Sequence, residues 1–414
     1  MLAINGGTPV RTAPLPPYFP GATSINEDEI NEAVAVLKCK TLFRYYGPNP
    51  SLNKAKEFET GLAKKFGSKY GVAVTSGTAA IVVALRAAGI GIGDKVIVPS
   101  CTFIATPGAI VDVGAVPVFC EIDDSFTVNP DKIKDCIDEH VKAIIPVPIL
   151  GYPCKMDRIM EEAKKYNLMV IEDVAQSMGS KYKGQYCGTF GDLGCFSLQI
   201  NKILTAGEGG AVLTNDAKLY ERAVRYHDQG MFREKEGFLS TNEADDIFLG
   251  LDYRMNEVSG AIACAQLRKL DTIIAKMRRN KQQIADGIRD IKGISQATVN
   301  DADGDCGNSL ILLFASKEKR IEFSKAMCAE GTPIGSLYNA EPIYLVPQLL
   351  HKKTVNKNGF PFNQFPDLEY TRDMCPDSVD LMGRHAFVAI GPEHTEQDCQ
   401  DYITAFHKVA AELL

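Results

Sequence analysis

The sequence predicts an α/β protein, in which a mostly parallel sheet carries helices on both faces and a smaller α+β part follows at the C-terminal end. Two patterns lead there. From Ser51 onward, the short apolar runs YGVAVTS, KVIVPS, VPVFCEI, AIIPVPI and LMVIEDV are separated by helical runs, and such alternation gives parallel strands joined by crossover helices. The strands are also nearly continuous in Val, Ile and Leu, as expected where both faces of a sheet are covered. A length of 414 residues allows about two or three domains. The divisions expected are an N-terminal segment over 1–50, a large α/β domain over 51–270 and a small α+β domain over 271–414.

Taken in order, residues 1–50 are rich in Gly and Pro and hold one helix, about Glu27 to Lys38. Asn26 is its N-cap, and Ile30, Val34 and Leu37 share one face. LFRYYGPNP follows, where Phe43, Arg44, Tyr45 and Tyr46 serve either domain packing or a substrate-facing lip. The glycines of Gly89-Ile90-Gly91-Ile92-Gly93 follow a helix and precede a strand, which reverses the order a dinucleotide loop requires, so they read as a helix C-cap and turn. AVLTN reads as a strand and DAKLYERAVRYHDQG as a helix with its stop, in which His227 is a capping or loop residue. The charged run Met231 to Asp246 lacks periodicity and is expected as a surface loop. Helical patterns cover Met255 to Leu270 and Asp271 to Asp290. Beyond them, the strand SLILLFA, two further helices, and the long connection Tyr344 to Asp373, a candidate substrate loop, make up the small part.

Composition excludes several classes. Apolar content of 45% and charged content of 23% are those of an ordinary globular enzyme. A net charge of −7, with no basic stripe, argues against nucleic acid and anionic membrane partners. No apolar run approaches the roughly 18 residues of a membrane span, and the first residues lack a signal peptide's basic and apolar regions, so a cytoplasmic location is expected. Twelve scattered cysteines without a C-x-x-C pair suggest neither zinc nor a disulfide framework.

The chemistry concentrates in Val170 to Val212. Asp173 ends the buried run LMVIED, where open α/β sheets place ligands, and Lys202 sits in a loop before LTAGEGG. A ring cofactor that works as an electron sink needs a carboxylate at its pyridine nitrogen and a lysine to hold its aldehyde as a Schiff base. Upstream, Ser76-Gly77-Thr78 stands between a strand and a helix, where backbone N–H groups and hydroxyls make a phosphate site. Ser197 adds a hydroxyl five residues before Lys202. Thr102-Phe103 follows a strand and so lies near the same sheet edge. The group these residues suit is pyridoxal phosphate.

Ser-Gly-Thr before an apolar helix, PSCTFIAT, IEDVAQSMG, FSLQINKILTAGEGGAV and LDYRMNEVSGAIACAQL, in that order from about Ile25 to the C-terminus, together resemble the DegT/StrS family of sugar aminotransferases. The resemblance implies fold type I, with Lys202 as the Schiff-base lysine, Asp173 at the pyridine nitrogen and Gln176 at the phenolic oxygen. Ser76, Gly77, Thr78 and Ser197 would hold the phosphate and Phe103 would cover a ring face. It implies an amino acid donor, glutamate or glutamine, and a ketone on a sugar or keto-cyclitol, nucleotide-linked or free. Gln199-Ile200-Asn201 before the lysine is closer to members acting on keto-cyclitols and free ketoses than to those acting on nucleotide 4-keto sugars. Relatives that lack the lysine act as dehydratases, but Lys202 is present. A non-catalytic regulatory protein of this fold would bind no pyridoxal phosphate.

The resemblance also implies a homodimer in which GLDYRMNE completes the partner's phosphate site. Here the chain departs from its relatives, carrying Asp252 where they have asparagine. A carboxylate can only accept hydrogen bonds and repels a phosphate dianion. Asp252 therefore points elsewhere, loosens the cofactor, or is neutralised by a cation; neutralisation, by Arg254 or across the dimer, is the reading preferred.

Overall fold

The computed structural model describes residues 1–237 and 247–414. Strands β1 (Tyr70–Val74), β2 (Lys95–Pro99), β3 (Val116–Cys120), β4 (Val141–Ile144) and β5 (Met169–Asp173) lead to a short hairpin of β6 (Lys181–Tyr182) and β7 (Gln185–Tyr186). Then come β8 (Leu193–Ser197) and β9 (Gly210–Thr214). Seven of them form one sheet in the order β1-β9-β8-β5-β4-β2-β3. Only β9 runs against its neighbours; the other pairs in the sheet are parallel. This is the mostly parallel, fold type I sheet expected. The C-terminal ends of β1, β2, β4, β5 and β8 thus point the same way, and the turns that follow them converge on one rim.

Burial explains why these segments become strands. Every residue of β8 and β9 is buried, and β1, β2 and β5 are buried except at their first residue. The helix Gly77–Ala87 lies on the sheet with all but three of its residues buried. Gly89, at φ +80°, ends its turn as a C-cap glycine does, and Ile90 N–H closes on Leu85 C=O at 2.9 Å.

A second sheet of β10 (Ile294–Gln296), β11 (Ser309–Phe314) and β12 (His385–Ala389) is antiparallel and belongs to the smaller α+β part. The first residues of the chain clasp it: the N–H groups of Ala3 and Val10 donate to Glu330, and Arg11 pairs with Asp398 at 2.6 Å.

One sequence reading is corrected. The two helical runs after Met255 form one helix, Glu257–Gly287. Asp271 imitates an N-cap but points outward to Lys65 at 2.7 Å, so the backbone continues without a break. The boundary expected between 270 and 271 therefore falls inside a helix that packs on both parts. The helix Glu27–Cys39 starts at Asn26, as expected, with a full capping box closed by Glu29. Ile30, Val34 and Leu37 are 49%, 37% and 56% exposed, whereas Val36 and Glu29 are buried, Glu29 held by Gln266 and Lys269. No residue of Tyr344 to Asp373 lines the cavity described below. Tyr344 and Tyr370 pack on Phe119, while Val355 between them is 99% exposed.

Of the charged run 231–246, the stretch to Gly237 is described and contains one helical turn, Arg233–Glu236; the remainder lies outside the described residues. Phe43 and Arg44 pack within the chain, while Tyr46 is 65% exposed. Arg44 is buried against Glu59, and Phe43 lies beneath Arg233 and Arg254. His227 closes its helix, buried, and burial pushes its ring down to about 3. All twelve cysteines are free. Among the described residues, no helix is long and apolar enough to cross a membrane, and no cluster of side chains is placed to hold a metal.

Candidate active site

The rim where β1, β2, β4, β5 and β8 end opens into a cavity of about 460 Å³. Asp173 and Lys202 both line it, as do Phe103 and Gln176; the phosphate set Ser76, Gly77, Thr78 and Ser197 lies along one side. Of the sequence-derived site residues, only Asp252 is elsewhere.

Asp173 closes β5 and is buried. Its Oδ2 accepts from Thr106 Oγ1 at 2.8 Å and its Oδ1 from Ala175 N–H at 3.2 Å. Thr106 spends its one proton on Asp173, so Thr102, 2.7 Å away, donates to Thr106. Burial pushes the carboxyl above its ordinary range, and the Thr106 bond, the Ala175 N–H and the charge of Lys202 pull it only part of the way back. Lys202 is half-buried, and burial holds its amine below the ordinary lysine value against the opposing charges of Asp173 and Glu208. Its backbone is fixed from both sides, by its own N–H to Gln199 C=O at 2.9 Å and by the N–H of Gly21.

The helix Gly77–Ala87 directs its first N–H groups into the cavity, ahead of the first helical hydrogen bond. Ser76 is the N-cap and accepts from Ala79 N–H at 3.0 Å. Gly77 is required by contact, because a Cβ there would stand 2.6 Å from that of Ser197. Helix start and Ser197 hydroxyl therefore approach more closely than any other residue would permit, and the result is a concave set of donors suited to a phosphate.

Pyridoxal phosphate fits these residues. The buried carboxylate lacks a full counterion and would gain one in a protonated ring nitrogen. The lysine is held toward the neutral form that attacks an aldehyde. The donors at the helix start match the phosphate. Phe103 is 53% exposed on the cavity wall, free to lie against a ring.

Sequence reasoning assigned no role to four contributors. Thr102 and Thr106 stand four residues apart in PSCTFIAT, a helical spacing that would have placed both on the face toward Asp173. Glu208 lies inside LTAGEGG and faces Lys202. Tyr338 comes from the small part and gave no local signal. Its hydroxyl accepts from Gln176 Nε2 at 2.8 Å, and Gln176 Oε1 accepts from Leu150 N–H at 3.4 Å.

Asp252 does not line the cavity of its own chain. It is 54% exposed and accepts from Arg254 Nη2 at 2.5 Å, while Nη1 of the same guanidinium donates to buried Asp228. Within its own chain Asp252 is thus paired with Arg254.

Known proteins resemble this chain. The solved aminotransferase from Psychrobacter cryohalolentis superimposes with a TM-score of 0.82 at 30% identity, over 97% of this chain and 100% of its own. The chain is 38% identical over 273 residues to GDP-perosamine synthase of Escherichia coli O157:H7, covering 66% of this chain and 70% of the relative. It is 33% identical over 296 residues to L-glutamine:2-deoxy-scyllo-inosose aminotransferase of Streptomyces kanamyceticus, covering 69% and 67%. The pattern of the DegT/DnrJ/EryC1/StrS aminotransferase family matches residues 23–405, and the chain belongs to that family.

Proposed function

We propose that this pyridoxal-phosphate-dependent aminotransferase transfers an amino group from glutamine or glutamate to the ketone of a keto-cyclitol or free keto sugar, in the formation of an amino sugar or aminocyclitol. The observation that carries this reading is the cavity wall around Lys202. Gln199, Asn201, Gln176 and Tyr338 offer neutral donors and acceptors there, and Lys202 is the only basic side chain among the described lining residues. Such a wall suits a hydroxylated ring better than a diphosphate. The identity to GDP-perosamine synthase favours a second reading, a nucleotide-linked keto sugar. One experiment separates them. The protein loaded with pyridoxal phosphate is given glutamine and then 2-deoxy-scyllo-inosose, and separately GDP-perosamine as the amine source. Return of the resting spectrum with the inosose, and no change with GDP-perosamine, supports the first reading; the opposite pattern transfers the function to the second.

When bound, pyridoxal phosphate supplies an electron sink for negative charge on the substrate carbon. In this reading Asp173 keeps its charge against the ring nitrogen, with Thr106 and Thr102 fixing the carboxylate plane. Lys202 would hold the aldehyde, and its Nζ, kept below the ordinary lysine value by burial, would carry a proton to and from the substrate carbon. Ser76, Gly77, Thr78 and Ser197 would hold the phosphate, Gln176 would stand at the phenolic oxygen, and Phe103 would shield one ring face from water. The large α/β part would bind the cofactor, and the smaller α+β part would close the cavity with Tyr338.

The working unit is proposed to be a homodimer with shared sites, in the cytoplasm. The outward Ile30, Val34 and Leu37, and the exposed Asp252–Arg254 pair outside its own cavity, support a second copy; twelve free cysteines suit a reducing compartment. If Asp252 meets the partner's phosphate with its charge balanced by Arg254, Asp252→Asn tightens pyridoxal phosphate binding by about 1 kcal/mol, the value of an ordinary hydrogen-bond change. Cofactor titration of both forms checks this. Equal dissociation constants would place Asp252 away from the phosphate, and a gain of several kcal/mol would show its charge to be uncompensated. A fully active monomer in sedimentation would remove the shared site altogether.

A further inference from the structure

The segment Leu337–Ala340 is held in a conformation its sequence does not favour. Tyr338, Asn339 and Ala340 have φ of 47°, 60° and 60°, three successive left-handed residues without a glycine. Such backbone costs on the order of 1–3 kcal/mol per residue and persists only where its surroundings impose it. Here they do. Gly335 and Phe387 exchange both backbone hydrogen bonds, at 2.9 and 2.8 Å, and tie the approach to β12. Leu337 N–H donates to His385 Nε2 at 2.8 Å, while Nδ1 of that buried ring lies 2.7 Å from Met382 C=O. Since Met382 C=O can only accept, Nδ1 carries the proton and Nε2 is left free as an acceptor.

The strained segment places one functional group in the cavity, the Tyr338 phenol. Its oxygen is occupied as an acceptor by Gln176 Nε2, so its proton is directed away from that amide. Among the described residues, none accepts that proton. Burial pushes the phenol well above its ordinary range, so it stays a donor at every working pH. Across the opening stands Phe103, with ring centres 6.3 Å apart. A neutral donor with no acceptor, held at cost beside the residue that faces the cofactor, is suited to a hydroxyl on a ligand.

We propose that Tyr338 is a substrate-binding residue: held in place by Gln176, it donates its phenol proton to a hydroxyl of the ketone being aminated and so selects polyhydroxylated rings. The proposal rests on the ketone-aminating reading above.

The test uses Tyr338→Phe loaded with pyridoxal phosphate, which keeps the ring and removes only the hydroxyl. Three quantities are compared with the wild type: the rate at which glutamine converts the bound cofactor to its amine form, the concentration of 2-deoxy-scyllo-inosose that gives half-maximal return, and the cofactor dissociation constant. The melting temperature confirms the fold. Loss of one neutral hydrogen bond is expected to raise the half-maximal inosose concentration about five- to tenfold, with the other two quantities within about twofold. An unchanged inosose dependence would overturn the proposal. So would an equal loss in both half-reactions, or weakened cofactor binding, since either would mean that the hydroxyl acts only by holding Gln176. A wild type that reacts with glutamine but never with the inosose would instead sink the functional reading, and this proposal with it. Wild-type turnover with an unaffected variant sinks the proposal alone.

Discussion

Lys202→Ala is expected to leave a folded protein that still takes up pyridoxal phosphate but has lost amino transfer by at least ~10³-fold, because on the roles proposed above one substitution removes both the covalent anchor and the proton carrier. The fold should survive. The hydrogen bonds that fix this residue, to Gln199 C=O and from Gly21 N–H, belong to its backbone, and the side chain removed is an amine whose charge burial already disfavours. Cofactor uptake should survive as well, since the donors at the start of the helix Gly77–Ala87 and the carboxylate of Asp173 are untouched. Borohydride reduction provides a readout apart from turnover: in the wild type it fixes the cofactor's mass on the peptide containing Lys202, and in the variant on none. A visible band of lysine-bound cofactor persisting in Lys202→Ala would assign the role to another lysine. The pH dependence follows from the same residue. With its proton affinity lowered, the rate of capture should reach its plateau below the ordinary lysine value, because the neutral amine is the reactive form.

How far the sequence was legible depended on whether the cause of a feature was local. β1 to β5 announce themselves because parallel strands covered on both faces must be apolar throughout. β8 did not, since Leu193-Gly194-Cys195-Phe196-Ser197 carries no β-branched residue. Gly194 is there because a Cβ would stand 2.1 Å from the carbonyl oxygen of Gly188, and that requirement comes from tertiary packing. Asp173 and Lys202 were legible because each sits beside a strand end or a glycine-rich turn. Tyr338 was not, because its place depends on β12 and His385, nearly fifty residues further on. The apolar stripe of Glu27–Cys39 was legible only as a shared face. Periodicity identifies a face but not its direction, and the reach of Gln266 and Lys269 to Glu29 turned this one outward in the single chain. Asp252 was recognised as a departure from its relatives, but the fork of Arg254 between Asp228 and Asp252 requires the bridge between Asp228 and Asp252 to form first.

Asp173→Asn isolates charge from shape at the other half of the site. The hydrogen-bond chain can invert without moving an atom: the amide oxygen keeps Ala175 N–H, the new N–H₂ donates to Thr106 Oγ1, and Thr106 turns its proton toward Thr102. What disappears is one negative charge in a buried place. In the cofactor-free protein that charge is a burden. The folded-state proton affinity of Asp173 is raised, so the folded form binds a proton where the unfolded form has released it, and stability is lost as pH rises through the carboxylate range. Asp173→Asn should therefore leave cofactor-free protein at least as stable as the wild type near neutral pH and remove that part of the pH dependence. With pyridoxal phosphate bound as proposed the sign would reverse, because the carboxylate would face a cationic ring nitrogen, and deleting one member of a buried pair costs about 3–5 kcal/mol. Expressed in rate, this is a fall of roughly 10²–10⁴-fold in amino transfer with the cofactor retained. Calorimetry of the cofactor-free forms between acid and neutral pH and single-turnover transfer by the loaded forms give the two halves separately. An asparagine variant with near-normal transfer would reduce Asp173 to a structural residue, and a large loss of cofactor-free stability would show that the carboxylate is satisfied by the protein alone.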